Sequence, residues 1–181
     1  MRFIFSLMMA TLIAIGVFAQ NDFPYGKLLN YSSSDFSNAK FKYNAKKSTW
    51  TLIKVDGADM LNQLSTLMDN PNAEIKVSEN NYTIVVQMGA NQQIATIEVN
   101  FFKKSVYNDI VEFANKNGTN LKVTDLDVVQ KTTFDYGQYH FRLLKTQVGT
   151  SEGEKCYEYN YQIDTGLNAV GTKASSVDAF Y

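Results

Sequence analysis

The chain carries one histidine, His140, and one cysteine, Cys156, so a Cys-His pair is the first chemistry to test. A thiolate nucleophile needs its imidazole base within roughly 3 Å. Serine hydrolases and most zinc sites also depend on imidazole, which exchanges protons or binds metal near neutral pH. Both residues fall in strand-like stretches, 132–146 and 155–164, joined by a turn over 148–154. Folding about that turn sets Thr146 near Cys156 and Gln162 near His140. The two side chains then share a face but lie six residues apart along the strands, on the order of 20 Å at about 3.3 Å per residue. That separation excludes the pair, and the sequence assigns no catalytic residue.

Carboxylates are the remaining catalytic type. Asp125 and Asp127 alternate onto one side of a strand, and a glycosidase works with two carboxyls across a cleft. Asp135 and Asp164 are left unplaced by the pattern. The glycines, Gly166 and Gly171 among them, are scattered, with no phosphate-cradling loop and no Asp-x-Asp-x-Asp-Gly calcium loop. No metal and no cofactor are therefore expected. Asn-x-Ser/Thr sequons begin at Asn30, Asn81 and Asn117 and matter only in a host that glycosylates exported proteins.

The same hairpin sorts the aromatic side chains. Tyr139, Phe141 and Leu143 fall on the face shared by Tyr157, Tyr159, Tyr161 and Ile163, while His140, Arg142, Cys156, Glu158, Asn160 and Gln162 fall on the other. Cross-strand aromatic packing against a core is one reading. A carbohydrate or peptide platform is the other, because tyrosine suits partly wet surfaces.

These residues must be positioned by elements whose signals run the length of the chain. Residues 1–19 read as an export signal: Arg2, an apolar run from Phe3 to Phe18, and Val17-Phe18-Ala19 as a cleavage site. An uncleaved anchor competes with this reading, but Gln20, Asn21 and Asp22 turn the chain polar at once. Residues 20–38 read as a loose polar leader anchored only by Leu28 and Leu29. A single α+β domain is expected over 39–164, followed by an aperiodic tail over 165–181. Within the domain, strands are predicted at 50–55, 74–78, 82–88 and 94–101 by alternation and β-rich composition. A helix is predicted over 56–68, with Asp56 as cap and Leu61, Leu64, Leu67 and Met68 on one face. A second helix starts at an N-cap Ser105, carries Val106, Tyr107, Ile110, Phe113 and Ala114 as its stripe, and ends at Gly118 in a left-handed conformation. Strands near 121–129, 132–146 (broken near Gly137) and 155–164 complete the set. The expected fold is a mainly antiparallel sheet with two helices on one face. Stretches 51–87 and 95–145 read either as two β-α-β-β units or as an accidental likeness.

Composition narrows the function classes. Removing 19 of 181 residues leaves 162, one ordinary domain. With Arg2 gone, 16 basic residues face 18 acidic ones, a balance that excludes the footprint of a nucleic-acid binder. Nothing predicts membrane insertion once the signal is removed. One cysteine permits no internal disulfide, which suits a bacterial periplasmic or secreted protein better than a stapled animal one. The sequence thus predicts an exported, non-enzymatic domain that binds a protein, peptide or glycan partner. A carboxylate-dependent hydrolase of envelope or extracellular glycans is the alternative, and a structural subunit of an envelope assembly the third. If both helices cover one face, Trp50 and Leu52 belong to the open one and form an interaction or self-association surface. The competing expectation is that the leader or the tail, with Phe180, folds across them.

Overall fold

A computed structural model describes residues 22–55, 78–89, 92–151 and 154–167. The export segment, the helix predicted over 56–68, most of the strand predicted over 74–78 and the tail past Leu167 lie outside the described residues. The described chain opens with a 3-10 turn, Gly26–Asn30, and a short helix α1, Ser33–Asn38. Strands β1 (Lys42–Asn44), β2 (Thr49–Lys54), β3 (Tyr82–Met88) and β4 (Ile94–Phe101) follow. Helix α2 (Lys104–Asn117) then leads to β5 (Thr119–Leu126), β6 (Val129–Tyr136), β7 (Tyr139–Ser151) and β8 (Glu154–Asp164).

All eight strands form one antiparallel sheet in the order β1-β2-β3-β4-β8-β7-β6-β5. Each half is a four-stranded meander, and β4 and β8 join the halves at the centre. The fold is α+β. The predicted strand-helix-strand-strand order does occur along the chain as β4-α2-β5-β6. In space, however, β8, β7 and β6 separate β4 from β5.

Side-chain alternation divides the sheet into two unlike faces. Trp50, Val86, Ile97, Ile163 and Phe141 lie in register across neighbouring strands, as do Leu52, Ile84, Val99, Tyr161 and Leu143. This apolar side holds the core. Ile110 and Ala114 of α2 are buried, and Tyr107 stacks on Tyr159 at 4.6 Å between ring centroids. Residues 22–38, expected to be loose, are built into the same core. Phe23 meets Phe141 edge-on at 5.1 Å, Leu28 is buried, and Phe36, 1% exposed, stacks on Trp50 at 5.4 Å. The sequence reading credited this segment with Leu28 and Leu29 alone because its serines mask the two phenylalanines. Ser32 caps α1 in a reciprocal box with Asp35, which fixes where Phe36 points.

The placement of Trp50 and Leu52 on an uncovered face is corrected by this register. Both lie on the apolar side, Trp50 only 8% exposed, and Ile53, 63% exposed, takes the opposite side. The tyrosine platform is internal for the same reason, with Tyr139, Tyr159 and Tyr161 buried. Two details of α2 also differ. Lys103, not Ser105, is the N-cap residue, and it makes no side-chain cap. Gly118 has an extended φ of −73°. A glycine is needed there because a Cβ would sit 2.5 Å from the Ala114 carbonyl oxygen and 3.0 Å from the Phe134 ring.

Candidate polar cleft on the open sheet face

The opposite side of the sheet is polar. Its central rung runs Lys122, Thr133, Arg142, Gln162 and Glu98 across β5, β6, β7, β8 and β4. The next rung towards the β6–β7 turn carries Asp135, His140 and Asp164 on adjacent strands. Gly137, with φ 60°, closes the two-residue turn between Tyr136 and Tyr139 and fixes the β6–β7 register. These rungs enclose a cleft of about 430 Å³ lined by Asn120, Lys131, Thr133, Asp135, Arg142 and Asp164, with His140 and Gln162 completing its polar wall.

Hydrogen bonds order the cleft. His140 Nδ1 lies 2.6 Å from Asp135 Oδ1, and Asn120 donates to Asp135 Oδ2 at 2.7 Å. Asn120 reaches that oxygen from a left-handed backbone, φ 53°, at an irregularity in the β5–β6 pairing. The Asn120 and His140 contacts hold the Asp135 carboxyl below the usual aspartate range, Asn120 contributing most. Asp164 Oδ1 accepts the Gly166 backbone N–H at 2.8 Å. Arg142 Nη2 donates to Gln162 Oε1, while its buried Nε has no partner among the described residues. Farther along the face, Asn160 donates to Glu98 Oε1 at 2.7 Å and to Asn100 Oδ1 at 2.8 Å.

The candidates from sequence separate cleanly. His140 pairs with Asp164 rather than Gln162, a two-residue shift that leaves every side chain on its expected face. Cys156 sits opposite Gly149, eight residues from Asp164 and so roughly 26 Å along the strand. Asp125 is on the helix side, where it accepts from Gln130, which in turn accepts from the Tyr107 hydroxyl; it braces α2. Asp127 occupies the β5–β6 turn with φ 51°. The residues the sequence left unplaced, Asp135 and Asp164, are the ones brought together, with His140 between them. The alternation of Thr133 and Asp135 with Phe134 and Tyr136 was the available signal, but register was needed to use it. Among the described residues, no cluster of three metal-ligating side chains occurs and no helix is long and apolar enough to cross a membrane.

Comparison with known proteins finds no matching family model, no matching curated protein and no matching solved structure. The functional reading therefore stands on this geometry.

Proposed function

We propose that the chain is an exported, non-enzymatic binding domain that receives a protein, peptide or glycan on the open polar face of its sheet. One observation carries this reading: the polar face holds a cleft of about 430 Å³ walled by polar donors and acceptors, Arg142, Gln162, Thr133 and Asp164 among them half-buried, while the described helices pack on the other side. Burial of polar groups is costly unless they are partnered, so a face that gathers them is suited to exchanging water for a polar ligand. Export is supported by the pattern of residues 1–19.

A second reading has its own observation. Asp135 and Asp164 flank His140 from adjacent strands, so their Cα atoms are roughly 10 Å apart, near the carboxyl separation of inverting glycosidases. Against that chemistry, the Asn120 and His140 contacts hold the Asp135 carboxyl below the usual aspartate range. A general acid needs a raised pKa.

The test compares the wild-type protein with Thr133→Arg on the open face and Glu112→Arg on exposed α2, using peptide and glycan arrays with product analysis. Saturable binding without turnover, lost in Thr133→Arg and kept in Glu112→Arg, supports the binding domain. Product formation abolished by Asp135→Asn establishes the hydrolase in its place.

A further inference from the structure

The open face has a positive centre. Thr133 is flanked by Lys122 on β5 and Arg142 on β7, and Lys131 lies two residues along β6 on the same side. Adjacent strands are about 4.8 Å apart, so a group seated over Thr133 is within reach of all three cations. Among the described residues none of the three has a carboxylate within 4.0 Å; the one ion pair there is His140–Asp135. The two acids of the cleft are already engaged, Asp135 by Asn120 and His140 and Asp164 by the Gly166 N–H. Arg142 is half-buried, with one corner of its guanidinium held by Gln162.

A half-buried guanidinium without a counter-ion, its plane braced by an amide, is matched by a planar oxyanion that accepts two parallel N–H bonds. We propose that this centre, on the face read above as the binding surface, holds a carboxylate group of the ligand. Within the cleft Lys131 and Arg142 face Asp135 and Asp164; on the central rung Lys122 lies beside Thr133, and Glu98, beyond Gln162, is held by Asn160. With three cations and three carboxylates along these strands, a monoanion adds the least charge. A phosphate dianion would meet the Asp135 and Asp164 carboxylates one rung away. The carboxylate has two natural sources in an extracellular ligand, an acidic peptide or an acidic sugar, and the same contact serves both.

The experiment titrates the ¹⁵N-labelled protein with acetyl-triglutamate amide, a glucuronic acid disaccharide, the triglutamine and glucose counterparts, and inorganic phosphate. The readouts are the Arg142 Nε–Hε signal and the Thr133 and Gln162 amides. At least one acidic probe should shift these signals saturably while its neutral counterpart does not, and the probe that acts identifies the source. Arg142→Gln should weaken that binding about tenfold or more, the scale of one charge-assisted hydrogen bond. Arg142→Lys, which keeps the charge but loses the fork, should weaken it less, and it covers the case in which Arg142→Gln does not fold. Silence from both acidic probes, tighter binding of phosphate, or an unaffected folded Arg142→Gln protein overturns the carboxylate site. Equal binding of the neutral probes at the same signals also overturns it while leaving the open-face reading intact. Shifts confined to α2 would remove both.

Discussion

Replacing Trp50 by alanine removes the largest side chain holding residues 22–38 to the sheet. Trp50 is 8% exposed, stacked on Phe36 at 5.4 Å and 17°, with Tyr43 on its flank at 4.8 Å. An indole buries on the order of 200 Å², worth about 5 kcal/mol at 25 cal/mol per Å². Measured aromatic truncations in cores cost about 3–5 kcal/mol. A loss in that range is expected here, a large share of the roughly 5–15 kcal/mol available to a domain. Urea unfolding followed by circular dichroism measures it. Because Phe36 spends its contact area on the same ring, Phe36→Ala and Trp50→Ala should combine less than additively. The wild-type emission should be blue-shifted and poorly quenched by iodide. A cost below about 1 kcal/mol, with emission quenched as readily as free tryptophan, would refute both the packing of the N-terminal segment and the assigned face of β2.

Other substitutions separate steric, polar and electrostatic contributions. Gly118→Ala should destabilise measurably despite its ordinary φ, since the added methyl meets the Ala114 carbonyl and the Phe134 ring; a neutral result in thermal melts contradicts that contact. Tyr161 is fully buried, and its hydroxyl has no partner among the described residues, so burial pushes its ionisation far upward. Tyr161→Phe should therefore be neutral or stabilising, and a loss above about 1 kcal/mol would reveal a hydrogen bond to that oxygen. Asp135 has a depressed folded-state pKa, so its stabilising effect is complete above the unfolded carboxylate range and fades as pH falls through the lowered value. Asp135→Asn should lower stability in the neutral region, where the carboxylate contributes fully, and flatten the acid limb below about pH 4, where that contribution has already faded. Changing His140 and Cys156 together to alanine should keep any native activity within about tenfold, since they cannot meet as nucleophile and base.

The sequence reading succeeded where a strand or helix is dictated by its own pattern. Strands at 82–88 and 94–101 have the limits expected of them, because each is a β-rich run bounded by turn residues, and 95–101 alternates throughout. Helix α2 follows from its Ile110 and Ala114 stripe, although the need for glycine at position 118 depends on Phe134, a residue distant in sequence. Trp50 was turned the wrong way for a related reason. Alternation says that Trp50 and Ile53 oppose each other, but which side is covered depends on Phe36, hidden in a serine-rich segment. The polar face was legible as His140, Arg142, Asn160 and Gln162 on one side of a hairpin. Its cleft was not, because Asp135 and Asp164 join His140 only once the Gly137 turn and the irregularity between Gln147 and Gly149 set the register.

The central claim, that ligand meets the open face, is tested most directly by photo-crosslinking in the native host. A photoreactive residue is placed at Thr133 or Leu144 on that face, or at Glu112 on the exposed side of α2. Adducts of one defined mass from positions 133 and 144, absent at 112 and lost with Arg142→Gln, are the predicted result. Adducts from position 112 alone would contradict it.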